Sequence, residues 1–369
     1  MIGSDDLKKI IIVNDFLYGG GVEKVLMTLI GNLDLEKYEI TLLNICKGKD
    51  PYKYFDKRIK YSYLNFTKTN NVICDFIKNR YIKIKTYLLM KKKYDIAIAF
   101  KEGHSMQIVD NIKADKKFAW IHVDYIRCHW TTLLFKDGQE LECMKRFDKI
   151  ICVSKSVKDS VIESVGDSNN LSVIYNPIDE KEILDKSNEL VTDVEKPKDK
   201  VLLVTVGRLD RQKGYDRLLR ICNSLKDRFE FELWIIGEGR DENSLRQYIE
   251  INKVQNVKLL GLKENPYKYM KLADWFICSS LFEGYSTVLQ EATLLEVPII
   301  TTECAGSKEL LGDSEYGLVV DNTEEELYKG VIRILSDEKL ADYYKDKIKV
   351  IKNNISLNDR INEIVTLFE

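Results

Sequence analysis

The chain has 369 residues, which is long enough for two domains that each bury their own core. Its 44% hydrophobic and 31% charged residues are the composition of an ordinary soluble protein. No segment approaches the roughly 18 uncharged apolar residues that span a bilayer, and the first nine residues do not form a signal peptide. These features exclude an integral membrane protein and a secreted one, and we expect a cytoplasmic location.

Charge is distributed unevenly along the chain. Residues 1–178 hold 29 Lys and Arg against 22 Asp and Glu, whereas residues 179–369 hold 28 against 37. The positive excess is concentrated in residues 51–93 and suggests an anionic partner for the first half. Within it, residues 76–93 predict a Lys-rich helix with one apolar face. Such a helix often lies on an anionic membrane surface, but a solvated helix is an equally good alternative. No nucleic-acid partner is expected.

Cysteine and histidine usage predicts neither a disulfide framework nor a metal site. The cysteines form no CxxC pair and the three histidines form no HxxxH or HxH arrangement, so zinc-site spacing is missing from the sequence. We therefore expect reduced cysteines in the core and no protein-bound metal. The eight cysteines are Cys46, Cys74, Cys128, Cys143, Cys152, Cys222, Cys278 and Cys304.

The first half alternates apolar runs with helical or polar stretches, which is the pattern of a parallel α/β sheet. Residues 8–14 are a continuous apolar run typical of a buried parallel strand, and three glycines and a helix from Val22 follow it. These glycines permit close backbone approach to a ligand, although the GxGxxG spacing of dinucleotide sites is missing and a purely structural turn is as good an interpretation. Further strands are predicted at 39–45, 96–100, 118–122 and 149–153.

His122 ends the strand predicted at 118–122. In a doubly wound sheet, the carboxyl ends of the strands line the ligand crevice. A lone histidine is more often structural than functional, so its position makes His122 a candidate only.

The sequence becomes strongly charged over residues 179–200, which we interpret as a linker between a first domain at 1–178 and a second at 201–354. Strands in the second domain are predicted at 201–206, 231–236, 257–261, 275–278 and 297–302. The loop after the first of these carries Arg208 and Lys213 between glycines, and two such cations can together bind a diphosphate.

Residues 355–369 predict a terminal helix that packs back onto the first domain.

Residues 279–292 join a strand, a glycine turn and a helix, an arrangement that often binds ligands. Glu283 precedes the turn and Glu291 lies about one and a half turns into the helix. Backbone N–H groups at Tyr285, Ser286 and Thr287 suit a phosphate, because the first turn of a helix leaves its donors unpaired. A capping box formed by Thr287 and Gln290 would also explain the helix start, but it would not explain Glu283.

Taken together, these motifs resemble the retaining glycosyltransferases of family 4, which have the α/β GT-B fold. In that fold, two Rossmann-like doubly wound parallel-sheet domains face each other across a cleft. The resemblance covers nearly the whole chain. Its specific motifs are Gly207-Arg208-Leu209 with Lys213-Gly214, Gly237-x-Gly239, Glu283-Gly284 through Glu291, and Ala305-Gly306-Ser307-Lys308-Glu309.

The resemblance implies a nucleotide-sugar in the second domain and an acceptor in the first. Arg208 and Lys213 would contact the donor diphosphate and offset the charge that grows on the leaving group. Glu283 would accept hydrogen bonds from sugar hydroxyls, and Glu291 from ribose hydroxyls. His122 would be the active-site histidine near the reacting sugar. The other implied donor contacts are Gly20, Gly21, Gly237, Leu262, Lys263, Gly284, Tyr285, Ser286 and Thr287.

We therefore expect a retaining, metal-independent glycosyltransferase that needs no cofactor. It would move a hexose or N-acetylhexosamine from a nucleotide-sugar, with a UDP-sugar favoured, to a lipid-linked precursor of a capsule or exopolysaccharide. The basic first domain fits an acceptor at an anionic membrane face, so a peripheral position at the inner membrane is expected. A protein acceptor, such as a serine-rich adhesin, and a non-catalytic GT-B subunit that regulates a partner enzyme are the alternatives.

Overall fold

The structure, a computed structural model, describes residues 7–15, 20–46, 55–65, 80, 84 and 87–369. The chain forms two compact units, of which the first joins Met1–Pro177 to Asn358–Glu369 and the second is Ile178–Leu357. Cys74 and half of the residues of the helix predicted at 76–93 lie outside the described residues.

The first unit is built on a seven-stranded parallel sheet. Residues Ile10 to Val13 are fully buried at its centre, which explains why this run contains no polar alternation. The strands are β1 (Lys8–Asn14), β2 (Tyr38–Cys46), β3 (Lys60–Asn65), β4 (Lys93–Ala99), β5 (Lys113–Ile121), β6 (Lys149–Cys152) and β7 (Leu171–Val173). Their order across the sheet is β3-β2-β1-β4-β5-β6-β7.

Helices of the first unit connect these strands. They are α1 (Gly21–Gly31), α2 (His104–Asp110), α3 (Gln139–Met144) and α4 (Lys155–Val165), with a 3₁₀ turn at Trp130–Leu133. Residues 87–91 are also helical, as are Arg80 and Ile84. This helix ends before β4 begins at Lys93, so its predicted end at residue 93 was slightly too late.

The second unit has a six-stranded parallel sheet with a second apolar core. Its strands are β8 (Val201–Val206), β9 (Phe231–Ile236), β10 (Val257–Gly261), β11 (Trp275–Cys278), β12 (Ile299–Thr302) and β13 (Leu318–Val320). They are arranged in the order β10-β9-β8-β11-β12-β13. Strand β11 therefore lies directly beside β8, and the loops that follow these two strands leave the same edge of the sheet.

Helices cover this second sheet. They are α5 (Glu180–Ser187), α6 (Tyr215–Leu225), α7 (Glu242–Ile251), α8 (Tyr267–Met270), α9 (Thr287–Leu294), α10 (Ser307–Leu311), α11 (Glu324–Ser336) and α12 (Glu338–Ile351), with short 3₁₀ turns at Arg211–Lys213 and Lys352–Asn354. No helix among the described residues is long and apolar enough to cross a membrane.

The stretch predicted as a linker, residues 179–200, belongs to the second unit and begins with α5. The Asp179 side chain caps this helix by accepting a hydrogen bond from the Glu182 N–H at 2.8 Å. Ile183 is fully buried, and the Lys196 ammonium donates to the Leu272 carbonyl. The high charge that suggested a linker is therefore the exposed face of a packed segment.

The last helix, α13 (Leu357–Phe368), lies almost wholly in the first unit. Its Phe368 ring packs edge-on against Tyr38 and also contacts Phe118, with ring centroids 5.8 and 6.2 Å apart. The Lys8 and Lys116 ammonium groups donate to the carbonyls of Phe368 and Leu367, at the negative end of the helix. Apolar contacts and two lysines thus fix the end of the chain to the first sheet.

Candidate functional site

The predicted residues of the second unit gather where β8 and β11 end. The loop 207–214 follows β8, and the loop 279–286 follows β11. Since these strands are neighbours in a parallel sheet, sequence-distant loops come into contact at its carboxyl edge. The structure therefore brings Arg208, Lys213 and Glu283 into one site.

Lys213 and Glu283 form the centre of this site. The Lys213 Nζ atom lies 2.6 Å from Glu283 Oε1, and their side chains are 15% and 11% exposed. Ser280 Oγ donates to the same carboxylate oxygen at 2.6 Å. Within the described part of the chain, Glu283 Oε2 receives no hydrogen bond. One oxygen of the carboxylate is thus committed to the protein, and the other is available to a ligand.

The charge on Lys213 results from two opposing effects. Burial lowers the pKa of the ammonium, but the adjacent Glu283 carboxylate, with smaller contributions from Cys278 and Tyr215, more than offsets burial and holds the pKa above its ordinary value. Lys213 is therefore a cation throughout the physiological pH range, and it can attract an anion.

Backbone contacts join the two loops. The Leu281 N–H donates to the Gln212 carbonyl at 2.7 Å, and the Gln212 side-chain amide donates to the Phe282 carbonyl at 3.0 Å. Ser279 Oγ donates to the Lys213 carbonyl at 2.8 Å. Gly214, at φ +63°, has no room for a Cβ because the Ser279 carbonyl lies against it. The sequence motifs did not reveal Gln212 or Ser279, because their partners lie about 70 residues away in the chain.

Arg208 lies at the rim of the site. Its side chain is 57% exposed and is 3.5 Å from the Asp210 carboxylate, and its guanidinium donates to Gln212 Oε1 at 3.3 Å. An exposed ion pair of this length contributes little to stability, so Arg208 can turn toward a ligand at small cost.

The Gly237-x-Gly239 turn has a packing role. Gly237 has φ +146°, and a Cβ there would overlap the Gly207 carbonyl, while a Cβ at Gly239 would overlap the Leu209 backbone. The Leu209 N–H donates to the Glu238 carbonyl at 2.9 Å. The glycines therefore let the turn after β9 support the Arg208 loop from behind.

The start of α9 differs from the capping-box alternative. Ser286 is the N-cap, and its side chain makes no capping hydrogen bond. Its Oγ atom and the Gln290 Nε2 atom are buried without a hydrogen-bond partner among the described residues. Glu291 is buried one turn further on. The first turn of α9 consequently presents backbone donors and a hydroxyl rather than a closed cap.

Two more predicted residues follow β10. Leu262 is 55% exposed. Lys263 is already engaged, because its ammonium lies 2.6 Å from Asp193 Oδ2 and above the Tyr269 ring. Leu262 therefore offers an apolar surface, while Lys263 stabilises the segment around residue 193.

In the first unit, His122 follows β5 and is held from two sides. Its backbone N–H donates to Glu102 Oε2 at 3.0 Å, and its Nε2 atom lies 3.1 Å from the Phe100 carbonyl. Since a carbonyl oxygen only accepts, Nε2 carries the proton and Nδ1 presents a lone pair. The opposite oxygen of Glu102 accepts a hydrogen bond from the Trp130 indole at 3.0 Å.

The environment of His122 keeps the ring neutral. Burial and the positive charge of Lys101 together lower its pKa to about 3, although the hydrogen bond with Phe100 acts in the other direction. The Lys101 ammonium itself lies 3.1 Å from Asp15 Oδ2. At neutral pH, His122 is therefore an uncharged hydrogen-bonding group.

Gly20 and Gly21 begin α1, with Gly20 as the N-cap. A Cβ at Gly20 would contact Glu23 Oε2, so this buried carboxylate covers the glycine. A phosphate can approach Gly20 only if Glu23 moves, since two anions repel each other.

A buried carboxylate that the sequence did not indicate braces the segment after His122. Glu140 accepts hydrogen bonds from Tyr125 and Thr131 at 2.8 and 3.0 Å, and its Oε2 lies 2.9 Å from His129 Nε2. These contacts fix the chain on both sides of Trp130, which in turn contacts Glu102.

Two expectations about metals and cysteines can be compared with the described residues. In that part of the chain, no group of three or more His, Cys, Asp or Glu side chains is placed to hold a metal ion. None of its seven cysteines forms a disulfide, and five are buried, but Cys46 is exposed and Cys128 partly so. The prediction of a core position was therefore wrong for Cys46, which ends β2 at the edge of the unit's core.

Two family models match the sequence and together span most of it. Residues 155–350 match the model described as glycosyl transferases group 1, and residues 19–182 match that of glycosyltransferase family 4.

Individual relatives agree with these models. A Campylobacter jejuni protein, N-acetylgalactosamine-N,N'-diacetylbacillosaminyl-diphospho-undecaprenol 4-alpha-N-acetylgalactosaminyltransferase, is 30% identical over 355 residues, covering 90% of this chain and 93% of that protein. A 41.2 kDa protein in the cps region of Klebsiella pneumoniae is 25% identical over 321 residues, covering 85% and 81%. The crystal structure of Anabaena HepE with UDP and glucose has a TM-score of 0.76 at 15% identity, covering 98% of this chain and 99% of that one.

Proposed function

Because this chain belongs to the glycosyltransferases of group 1 and family 4 and has their GT-B fold, we propose that it transfers a sugar from a nucleotide-sugar to a lipid-linked precursor of a surface polysaccharide. The observation that carries the donor assignment is the contact between Lys213 and Glu283 at the carboxyl edge of the second sheet. A cation and a carboxylate meet there on two loops that are fixed to each other.

The donor diphosphate binds between Lys213, Arg208 and the first turn of α9. Lys213 is a permanent cation, and Ser286 Oγ is a buried group without a hydrogen-bond partner among the described residues. These groups stabilise the negative charge that grows on the leaving diphosphate as the glycosidic bond breaks. Two protein cations can fill this role, so we propose that turnover needs no metal ion.

Glu283 selects the donor sugar. Its Oε1 atom is held by Lys213 and Ser280, while Oε2 can accept a sugar hydroxyl. Glu291 binds the ribose hydroxyls from the buried side of α9. A UDP-sugar carrying a hexose or N-acetylhexosamine is our first choice of donor, because UDP is named in the HepE complex of the same fold.

We propose retention of the anomeric configuration. The name of the Campylobacter jejuni relative specifies an α-linkage. Formation of an α-linkage from an α-configured nucleotide-sugar is retention. In the first unit, neutral His122 then serves as a hydrogen-bond partner for the reacting sugar rather than as a cation.

The lipid-linked acceptor is supported by the same relative, whose name includes diphospho-undecaprenol. It is also supported by charge and exposure in the first unit. Ile84, Tyr87 and Leu88 are all more than half exposed, next to Lys91 and Lys92. Such a surface suits an anionic membrane, where apolar side chains insert and lysines face the headgroups. The enzyme would then work in the cytoplasm, peripherally at the inner membrane.

The decisive experiment measures UDP release by the purified full-length chain. Four donors, the UDP-linked forms of glucose, galactose, N-acetylglucosamine and N-acetylgalactosamine, are each combined with a saccharide on undecaprenyl diphosphate or with the same saccharide without lipid. We expect one donor to be consumed at least about tenfold faster with the lipid-linked acceptor, with no loss in EDTA. Proton NMR of the product reports the anomeric configuration.

Each alternative gives a different result in this experiment. Equal rates with lipid-linked and lipid-free saccharides would favour a soluble or protein acceptor. If calorimetry detected no binding of UDP or of any of the four donors, the chain would be a non-catalytic subunit, and the proposal would be wrong.

Membrane binding is tested separately by cosedimentation with vesicles. We expect binding to vesicles containing phosphatidylglycerol and not to neutral phosphatidylcholine vesicles. Replacing Lys91 and Lys92 by Glu should weaken binding by at least about tenfold. The same exchange at the exposed Lys345 and Lys349 of the second unit is the control. Equal weakening by both pairs would point to net charge and not to this surface.

A further inference from the structure

A buried arginine lies directly beneath the loop that carries Glu283. The Arg217 side chain projects from α6 and its residue is 5% exposed. Its Nε and Nη2 atoms donate to the Ser279 carbonyl at 3.1 and 2.7 Å, and Nη2 donates to the Ser280 carbonyl at 2.9 Å. One guanidinium therefore holds two successive carbonyls at the end of β11.

Asn322, which lies just after β13, binds both Arg217 and the loop after β11. Its side-chain oxygen accepts from Arg217 Nη2 at 2.8 Å. Its amide nitrogen donates to the carbonyls of Leu281 and Glu303 at 2.9 and 3.0 Å, and to that of Ser280 at 3.3 Å. Asn322 thus joins the loop after β11 to the loop after β12.

Thr302 adds a third hydrogen bond to the same point. Its hydroxyl donates to the Ser280 carbonyl at 2.6 Å. With Cys304 Sγ, which donates to the same carbonyl at 3.3 Å, four side chains consequently meet at one peptide group. Such convergence fixes the position of Ser280 more tightly than a single contact would.

The Arg217 guanidinium donates its hydrogen bonds to uncharged oxygen atoms and forms no ion pair among the described residues. Its hydrogen bonds go to carbonyl, hydroxyl and amide oxygens, whereas the nearby Asp216 and Glu324 carboxylates pair with Arg220 at 3.1 and 2.7 Å. Burying a guanidinium in this way is costly unless its donors are satisfied. The carbonyls of residues 279 and 280, with the Asn322 side-chain oxygen, accept from the Nε and Nη2 atoms, so the guanidinium and the loop hold each other in place.

Ser280 transmits this position to the site. Its carbonyl accepts hydrogen bonds from Arg217, Thr302 and Asn322. Its hydroxyl donates to Glu283 Oε1, the same oxygen that Lys213 contacts. Ser279, the other residue held by Arg217, donates its hydroxyl to the Lys213 carbonyl. A shift of residues 279 and 280 would therefore move Glu283 and Lys213 together.

We propose that Arg217 and Asn322 are positioning residues for the donor site, and that they act through Ser280 to set the place of Glu283 and Lys213. This inference rests on the proposed function, in which Glu283 binds the donor sugar. Neither residue needs to touch the donor. Their removal should weaken recognition of the sugar by Glu283 and of the diphosphate by Lys213 more than recognition of the ribose, since Glu291 lies on a different element, α9.

The test compares Arg217→Met and Asn322→Ala with Arg220→Met. Arg220 lies one turn further along α6 and binds Glu324 at the surface, which makes it a matched control. Steady-state kinetics are measured with whichever of the four UDP-sugars supports turnover, and calorimetry measures the affinity for UDP alone. We expect kcat/KM to fall about 10- to 100-fold in both variants, as KM rises and kcat falls. UDP affinity should fall by a smaller factor than kcat/KM, because Lys213 shifts while Glu291 on α9 does not, and Arg220→Met should stay within about twofold of wild type.

A purely structural role predicts a different outcome. Partial unfolding would lower kcat in proportion to the folded fraction and leave KM unchanged, and in that case the proposal is wrong. Arg217→Lys keeps the positive charge but lacks the planar fork of the guanidinium, so it should fall between Arg217→Met and wild type.

Thr302→Val covers the case in which Arg217→Met fails to fold, because it removes one hydrogen bond from Ser280 and little volume. We expect it to raise KM about 3- to 10-fold. An unchanged KM in folded Thr302→Val and Asn322→Ala would overturn the inference while leaving the proposed function intact. Failure of the wild-type chain to bind any nucleotide would instead refute the proposed function, and the inference with it.

Discussion

Lys213 in the second unit and His122 in the first are both basic side chains with little exposure, yet they differ in charge. Burial lowers the pKa of each group, because a less polar environment disfavours its charged form. Lys213 faces the Glu283 carboxylate and remains a cation. His122 faces the positive charge of Lys101 and is neutral down to a pKa of about 3.

The comparison shows that the sign of the neighbouring charge decides whether a buried basic side chain is charged at neutral pH. In the second unit, the charge is retained where an anion is to be bound. In the first unit, Glu102 lies beside His122 but binds its backbone N–H and the Trp130 indole, so it holds the ring in place without sharing a proton with it. Four predictions test these assignments, beginning with the one that should have the largest effect.

Removing the charge of Glu283 should have the largest effect. In Glu283→Gln, the shape and the hydrogen bond from Ser280 are kept, but the partner that raises the pKa of Lys213 is lost. We expect kcat/KM to fall at least about 100-fold, equivalent to about 2.7 kcal/mol. Donor binding should also weaken as pH rises from 8 to 10, since the ammonium then loses its proton, a dependence that wild type should not show.

The matched control for this change is Glu232→Gln. Glu232 pairs with Lys258 at 2.8 Å in the same unit, away from the site. Its kinetics should remain within about twofold of wild type. If both variants lost activity equally, the effect would belong to stability and not to the site.

Replacing two glycines by alanine should distinguish a position crowded by backbone atoms from one crowded by a side chain. In Gly237→Ala, the new Cβ overlaps the backbone carbonyl of Gly207, whereas in Gly103→Ala it meets a side chain, the Trp130 ring. We expect urea unfolding to show a loss of about 3 kcal/mol for the second unit in Gly237→Ala and about 1.5 kcal/mol for the first in Gly103→Ala. The reverse order would show that the loop after β9 is less constrained than its contacts indicate.

The pKa of His122 should make the first unit sensitive to acid. Its folded-state pKa lies below the unfolded value of about 6.5, so the unfolded chain binds the extra proton between these limits. The stabilisation is complete above pH 6.5 and is lost as the pH falls toward 3, by at most about 1.4 kcal/mol per pH unit.

Urea unfolding of the wild type and of His122→Asn between pH 7 and pH 4.5 measures this contribution. The two proteins should differ progressively less as the pH falls. Lys101→Met removes the repulsive charge and should raise the pKa of the imidazole, which NMR titration can follow. An unchanged pKa would show that burial alone keeps the ring neutral.

The smallest effect should come from Trp130→Phe. This change removes the indole hydrogen bond to Glu102, together with the outer indole ring that lies against Gly103. We expect a loss of about 1.5 kcal/mol, typical of a hydrogen bond to a charged group. The His122 backbone amide should shift in an NMR spectrum, because Glu102 also binds that N–H. An unshifted amide would mean that Glu102 does not couple the indole to His122.

The sequence predicted most accurately those elements that a single physical signal identifies. Five predicted strands, including 8–14 and 201–206, have the bounds of the observed ones, because an apolar run between turns marks a buried parallel strand. The GT-B fold and the membership of family 4 are confirmed. The roles assigned to Lys213, Glu283 and His122 stay predictions, although the structure shows that the first two are in contact.

Three strands and the helix α5 were not predicted from the sequence, and each omission has a local physical explanation. Strands β7 and β13 have three residues each, too few to show a period. Strand β3 carries polar residues between its tyrosines and lies at the edge of its sheet, where burial is incomplete. The helix α5 was missed because its charged face concealed a single buried isoleucine.

Contacts distant in the chain were also beyond a single sequence. Arg217 and Asn322 are more than 100 positions apart, and their contact depends on the order of strands β11, β12 and β13. Glu140, in the first turn of α3, binds Tyr125 and Thr131 and had no motif of its own. Such networks follow from topology, which local patterns do not specify.

The terminal helix α13 has a consequence for synthesis on the ribosome. The first unit is formed by the start of the chain, but its last helix is made only after the whole second unit has been translated. Domains usually fold one after another from the N-terminus as they emerge. Here the N-terminal unit would have to wait, with the Tyr38 and Phe118 surfaces uncovered, until Phe368 leaves the exit tunnel. A chain that stops early would therefore lack a finished first unit and would be a ready substrate for proteases and chaperones.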